Sequence, residues 1–269
     1  MSKPDPGTIK IGQVNLSFYG AAGGVVAAVL ERLGHDFAVS QGTHGEIYDQ
    51  LGEGSVDLLV ASWLPNAHAG LHEPLADSLV EVSTLYEDAL LYWAVPDYVP
   101  ESLVSSVEDL ARPEVAQRMD RTIVSVGPGS GLSLGSARIL EEYGLENEGY
   151  VLEVAGQDRW VANARAIFDA ERWAAIPLWR PQWMNSVFGL RVLAEPRGIF
   201  APDRCVLVAR KAAWDSWPTR LRTVLGRIEL DLDSVSDIDR SIAVDGLTPR
   251  AAADRWIAAH EERFDSWFV

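Results

Sequence analysis

Apolar and polar positions alternate along this chain in a repeating strand–helix rhythm. Thr8–Val14 reads as a strand, and the small, apolar stretch Ala21–Leu33 as a helix closed by Gly34. Phe37–Ser40, Gly45–Leu51 and Val56–Ala61 continue as strand, helix and strand, and Ala89–Val95 is a further strand stopped by Pro96. A second block repeats the logic. Helical pieces over Val107–Met119 break at Pro113, and Thr122–Val126 is a strand. The tight turn Gly127-Pro-Gly-Ser-Gly131 opens a helix over Leu132–Tyr143, capped by Gly144. Tyr150–Val154, Arg159–Ala170 and Ala174–Leu178 follow as strand, helix and strand. A third block opens on the strand Arg204–Ala209 and ends in helices near Trp214–Leu225, Ser234–Val244 and Thr248–Phe264.

This βα alternation predicts an α/β protein with two mostly parallel sheets flanked by helices. Crossings near Val95–Tyr98 and Ala201–Val206 suit two hinge strands. Lobe 1 is then discontinuous, residues 1–95 and 206–269, and lobe 2 is residues 96–205. Ligands of open α/β sheets bind beyond the carboxyl ends of strands. The stretches to watch are therefore Asn15–Tyr19, Ser62–His68, Gly127–Leu132 and Trp179–Trp183.

Composition narrows the function. A length of 269 residues suffices for two lobes. The longest apolar runs, Ala21–Leu30 and Ala89–Val95, fall well short of the roughly 20 residues that cross a bilayer. The start, Met1-Ser-Lys-Pro-Asp-Pro-Gly7, lacks the basic-then-apolar layout of a signal peptide. The expected compartment is periplasmic or otherwise extracytoplasmic if a signal has been removed, and cytoplasmic if Met1 is the native start. A net charge of −16 argues against nucleic acid and anionic membrane, and is compatible with a cationic partner. The single cysteine, Cys205, sits in the apolar run Cys-Val-Leu-Val-Ala and reads as a buried strand residue.

Most candidate chemistry fails on inspection. The turn before the Leu132 helix lacks the third glycine of a dinucleotide loop, whose place Leu132 takes. It also lacks the flanking glycines of a nucleophile elbow, whose places Pro128 and Leu132 take. What remains is a helix N-terminus whose free amides attract an anion. His68 and His72 have zinc-like spacing but no third ligand nearby, and are expected at the surface. Glu141–Glu142 and Glu261–Glu262 read as solvated helix faces. No acid–base or nucleophilic constellation stands out, so neither turnover nor a cofactor or metal is expected.

Tryptophan carries more information. Of ten, Trp214, Trp217, Trp256 and Trp267 suit helix packing, while Trp160 and Trp173 flank a helix and could serve either purpose. Trp63 follows Val56–Ala61 after Ser62 and precedes Pro65, and Trp179 follows Ala174–Leu178 and precedes Pro181. These are two Trp-x-Pro elements, one per lobe. Indole faces there suit a cation without hydrogen-bond donors, at about 0.5–2 kcal/mol per ring. Core packing is the alternative on spacing alone.

With these residues in view, the chain resembles the substrate-binding proteins of ABC transporters for glycine betaine, proline betaine and choline. The resemblance runs through Val29-Leu-Glu-Arg-Leu-Gly34, Gly54-Ser-Val-Asp57, Trp63-Leu-Pro-Asn-Ala-His68 and Ala94-Val-Pro-Asp-Tyr98. It continues through Pro128-Gly-Ser-Gly131, Tyr143-Gly-Leu145, Trp179-Arg-Pro-Gln-Trp-Met-Asn185 and Ala251-Ala-Ala-Asp-Arg-Trp-Ile257 before Trp267. It implies a two-lobed fold of the type II periplasmic-binding-protein kind that closes by a hinge and hands its solute to a membrane permease. It also implies an aromatic box with walls from Trp63 and Trp179, a carboxylate met by the amides of Gly131 and Leu132, and assistance from His68. This chain departs from the pattern at Ser130, where some relatives place a third tryptophan, and at Gln182, where histidine is usual. Choline-type relatives use an aromatic after the first strand, where Leu16, Phe18 and Tyr19 stand here. Phe18 and Tyr19, in a loop, rank first to close the box. Tyr86, ahead of the Ala89 strand, ranks second, and Trp183, one helical turn beyond Trp179, third. A small quaternary-ammonium ligand, a monomer and a permease partner are expected. The rival readings are a cytosolic sensor or storage protein of the same fold, and an enzyme acting on a choline-like compound.

Overall fold

The computed structural model describes residues 7–269. The polar start, residues 1–6, lies outside the described residues, as does most of the stretch tested above for a signal peptide. Strand β1 (Ile9–Val14) leads into α1 (Ser17–Arg32), β2 (Phe37–Gly42), α2 (His44–Glu53), β3 (Leu58–Leu64), the short α3 (Ala69–His72) and the long strand β4 (Leu79–Pro96). The middle of the chain holds α4 (Pro113–Ala116), β5 (Met119–Asp120), β6 (Thr122–Val126), α5 (Gly131–Glu142), β7 (Val151–Ala155), α6 (Gln157–Asp169), β8 (Trp173–Ala174), β9 (Ile176–Arg180), α7 (Met184–Val187) and β10 (Leu190–Val192). The last part is β11 (Asp203–Arg210) followed by α8 (Lys211–Ser216), α9 (Thr219–Leu225), α10 (Leu232–Ala243), α11 (Pro249–Ala259) and α12 (Glu261–Ser266).

The chain divides into two compact units. One comprises the chain up to Ala89, Pro181–Trp183 and Asp203–Val269, and the other Leu90–Arg180 and Met184–Pro202. The divisions at Ala89/Leu90 and Pro202/Asp203 precede those read from the sequence at 95/96 and 205/206, and Pro181–Trp183 forms an excursion that patterning does not reveal. The reason for the first shift is β4. Its 18 residues form one strand, of which Ala89–Val95 is only the second half.

In the first unit, β1 pairs in parallel with β2 and β3. β11 lies antiparallel between β3 and the first half of β4. The buried face of α1 runs from Phe18 to Leu30 without interruption. Small residues let it pack closely on α10 and α11. A Cβ on Gly24 would sit 2.2 Å from the Pro249 carbonyl oxygen, so only glycine allows this approach. On the other side of the sheet, Ile47, Tyr48 and Leu51 of α2 pack against Val56, Leu59 and Val206. The start of α2 is fixed by a capping box between Thr43 and Glu46.

In the second unit, β9 and β10 both pair antiparallel with the end of β4, while β6–β7 and β5–β8 are parallel pairs. Its core gathers Trp93, Val95, Ile123, Ile139, Leu140 and Tyr150, among others. The Trp93 indole donates to Ser136 Oγ at 2.9 Å, which satisfies its one polar group. The parallel pairs follow the βα alternation, and the antiparallel partners β9 and β10 flank the second half of β4, through which the chain first enters this unit. Helical boundaries differ from the sequence reading in three places of note, the first being that the stretch Trp214–Leu225 divides at Trp217–Pro218 into α8 and α9. Helix α1 starts at Ser17, four residues early, and the last helix divides at His260.

Candidate functional site

In the first unit, β3, β4 and β11 bring three residues into register. Cys205 on β11 lies opposite Trp63 on one side and Tyr86 on the other. The Trp63 indole donates to the Tyr86 hydroxyl at 3.1 Å, with the rings edge-on at 6.5 Å. Phe18 meets the Trp63 ring edge-to-face at 5.8 Å, and Tyr19 packs against Phe18 at 4.1 Å. Phe18, Tyr19, Trp63 and Tyr86 thus form one aromatic group, with each ring held by another.

The turn after Trp63 is fastened twice. His68 returns its backbone N–H to the Trp63 carbonyl at 3.0 Å, while the Trp63 N–H donates to His68 Nδ1 at 2.9 Å. Asp203, the buried first residue of β11, accepts from the Asn66 and Ala67 amides at 2.6 and 3.0 Å, and from the Asn66 side chain at 3.2 Å. Burial raises the Asp203 pKa, and these donors oppose the rise. Tyr19 Oη lies 3.3 Å from His68 Nε2 and 3.2 Å from His44 Nε2. Both His68 ring nitrogens therefore have protein partners. Beside them, Tyr48 shares a hydrogen bond with Ser62. Burial dominates the titration of every group here. It pushes Tyr19 and Tyr86 well above the ordinary phenol value, raises the Cys205 thiol, and holds His68 well below the ordinary imidazole value.

The second unit carries its own aromatic pair. Trp160 stacks on Trp179 with ring centroids 4.8 Å apart and planes 18° from parallel. The Trp160 indole donates to the Pro177 carbonyl at 3.1 Å. The Trp179 carbonyl accepts from Asn185 Nδ2 at 2.9 Å, and the Tyr92 hydroxyl donates to Asn185 Oδ1 at 2.6 Å. Helix α5 and strand β6 pack against β9. Ser130 is the N-cap of α5: its Oγ accepts from the Ser133 amide at 3.1 Å and donates to the Val126 carbonyl at 2.8 Å. The cap engages the third amide of the helix. The first two, of Gly131 and Leu132, have no acceptor within the helix.

Several placements differ from the sequence reading. Phe18 and Tyr19 are not in a loop but in the first turn of α1. The N-cap there is Leu16, whose side chain makes no capping bond, so the usual start signal is missing. Tyr86 is inside β4, and Trp63 and Trp179 lie within β3 and β9 instead of beyond them. His68 and His72 are buried instead of exposed, 4% and 9% accessible, because α2 and β11 enclose the turn that carries them. No helical turn separates Trp179 from Trp183. β9 ends at Arg180, and the buried Gln182 and Trp183 belong with the first unit, where the Trp183 amide donates to Asp239 of α10 at 3.0 Å. His44 and Trp160 were not singled out as site residues. At His44 the sequence offers only the Thr43–Glu46 capping pattern beside it, which marks a helix start and no function, and Trp160 shows itself only through its stacking partner.

The comparisons with known proteins agree in direction. The family described as the substrate-binding domain of ABC-type glycine betaine transport systems matches residues 7–259. A glycine betaine/carnitine transport binding protein of Listeria monocytogenes is 20% identical over 158 residues, 58% of this chain and 52% of that protein. The matched stretch thus spans about half the length of that relative. Lactococcal OpuAC, solved closed with glycine betaine, superposes with a TM-score of 0.87 at 22% identity, covering 98% of this chain and 100% of its own. A choline-binding protein of an ABC transporter, solved with choline, gives 0.87 at 19% identity, covering 98% and 93%. ProX from Borrelia burgdorferi gives 0.86 at 23% identity, covering 97% and 96%. These structures share the fold, and the family match extends over nearly the whole sequence, so the chain belongs to the family of substrate-binding domains of ABC-type glycine betaine transport systems.

Proposed function

We propose that this chain is the solute receptor of an ABC importer and that its ligand is a small quaternary-ammonium compound such as glycine betaine or choline. The observation that carries the reading is the pair of aromatic groups, one in each unit, whose rings are fixed by hydrogen bonds and stacking: Trp63 with Tyr86 and Phe18, and Trp179 with Trp160. A methylated ammonium has no N–H to donate. It is held by ring faces, at about 0.5–2 kcal/mol per ring and more when water is excluded. Trp63 and Trp179 are the two principal walls, with Phe18 and Tyr86 bracing the first. The Gly131 and Leu132 amides are placed to receive a carboxylate where the ligand has one. Gln182 and Trp183 support the site from the first unit.

Capture and delivery, without turnover, is the chemistry this arrangement serves. The tyrosines, histidines and thiol around Trp63 are held in their neutral forms and bonded to one another, which suits a passive wall better than acid–base work. The protein works outside the cytoplasmic membrane as a monomer and passes its solute to a permease. Among the described residues, no helix is long and apolar enough to cross a membrane. A thermal-shift and calorimetric screen with glycine betaine, choline and carnitine tests the reading. A ligand at ~100 times its Kd raises stability by about 2.7 kcal/mol. The absence of any shift at millimolar ligand would exclude the whole class.

A further inference from the structure

We propose that His44 is a positioning residue for the Trp63 wall, the last acceptor in a one-way hydrogen-bond chain that begins at the Trp63 amide and holds only while His44 is neutral. The proposal rests on reading Trp63 as a ligand wall.

The direction of the chain follows from its first link. A backbone amide can only donate, so His68 Nδ1, 2.9 Å from the Trp63 nitrogen, accepts and carries no proton. The neutral His68 ring then bears its proton on Nε2, which donates to Tyr19 Oη at 3.3 Å. The Tyr19 proton is left to point at its other partner, His44 Nε2, at 3.2 Å. His44 accepts there, and its own proton sits on Nδ1. One protein amide thus dictates two tautomers and one hydroxyl orientation across three elements: β3 with its turn, α1 and α2.

Burial keeps this chain uncharged. His44 is 4% accessible, and desolvation lowers its pKa to about 4. The titratable groups that meet it are Tyr19 and His68, and around these two lie Tyr48 on the His44 helix, His72, Asp203 and Cys205. Asp203, the acid among them, is occupied by Asn66 and Ala67. Protonating His44 puts an N–H on Nε2 facing the Tyr19 O–H, donor against donor. The hydroxyl must turn away, the Tyr19–His44 link that anchors the end of the chain is lost, and the group around Trp63 gains a positive charge. Both effects oppose a cationic ligand.

Imidazole nitrogen chemical shifts of the unliganded wild-type protein at pH 7.5 read the tautomers directly. Calorimetric Kd values for glycine betaine and choline between pH 7.5 and 4 read the consequence in wild type, His44→Leu and His44→Gln. We expect His68 protonated on Nε2 and His44 on Nδ1. His44→Leu, which removes the acceptor, should weaken binding about fivefold or more. His44→Gln, whose carbonyl can accept from Tyr19, should recover affinity to within about threefold. Wild-type affinity should fall as pH approaches 4, and the glutamine variant should show a flatter profile. His68 protonated on Nδ1, full affinity in the leucine variant, or a glutamine profile as steep as wild type would each overturn the proposal. Failure of wild type to bind either probe at pH 7.5 overturns the ligand reading and the His44 role together. Binding with the wrong tautomers overturns the His44 role alone.

Discussion

Trp160 lies flat against Trp179, and its indole N–H is tied to the carbonyl of Pro177, two residues before Trp179 on the same strand. The stack fixes the plane of Trp179 from behind. An aromatic pair of this kind is worth about 0.5–1.5 kcal/mol beyond the area it buries. Trp160→Leu should therefore weaken ligand binding by about two- to tenfold although Trp160 is 1% accessible. Calorimetric titration of the folded fraction measures this. Unchanged affinity would show that Trp179 holds its orientation without the stack.

The two wall tryptophans should behave alike and differ from the core tryptophans. Trp63→Ala and Trp179→Ala should each lower affinity by roughly tenfold or more, through lost cation–π attraction and lost apolar burial. Trp256, buried between His260 and Trp267, should when changed to alanine lower stability by about 3–5 kcal/mol and leave affinity near wild type. Paired denaturation and binding curves separate the two effects.

Ser130→Ala should destabilise the protein by about 1 kcal/mol, because the α5 N-cap is lost and the Ser133 amide loses its acceptor. Hydrogen exchange at the Ser133 amide should accelerate relative to mid-helix amides such as that of Ile139. Equal protection in the variant would mean that another group caps the helix.

Two buried groups should give the stability opposite slopes against pH. Asp239 is fully buried on α10, and desolvation raises its pKa from 3.8 to about 7, against the lowering effect of hydrogen bonds from Ser17 and the Trp183 amide. In this window the folded state binds the extra proton, so the Asp239 contribution is intact below pH 4 and is lost as pH rises through 7. His44 does the reverse. Its pKa falls from 6.5 to about 4, so its contribution is intact above pH 6.5 and is lost as pH falls through 4. Relative to wild type, Asp239→Asn should make stability rise more steeply with pH between 4 and 6.5, and His44→Gln should make it rise less steeply, because the neutral His68 still contributes in the His44 direction. Urea denaturation at half-unit steps of pH measures both slopes, and identical profiles in the two variants would refute the assignment.

Sequence made the βα alternation, the two Trp-x-Pro elements and the family resemblance legible, because strand patterning and tryptophan placement are local signals. Other features are set by partners distant in sequence. Tyr86 is a candidate from sequence, but its contact with Trp63 is not legible there, because it depends on β11 placing Cys205 between the two, a pairing of residues more than a hundred positions apart. His68 and His72 looked like surface residues because their spacing says nothing of the enclosure by α2 and β11. The early start of α1 went unseen because Leu16 is not a capping residue, and it brings Phe18 and Tyr19 onto a buried helix face. Ser130 read as a missing wall. Its place in the fold is a helix cap, a role that a tryptophan cannot fill.

The position of β11 bears on the order in which the protein is made. This strand fills the gap between β3 and the first half of β4, yet it begins only at Asp203. During synthesis, the residues of the second unit, which end at Pro202, have all emerged before the first unit can close its sheet. Until then the nascent chain carries two unpaired strand edges, of β3 and β4, open to wrong pairing. The unit whose first residues leave the ribosome earliest is therefore the one completed last. Any chain that stops short of Arg210 should be a substrate for chaperones, not a smaller binding protein.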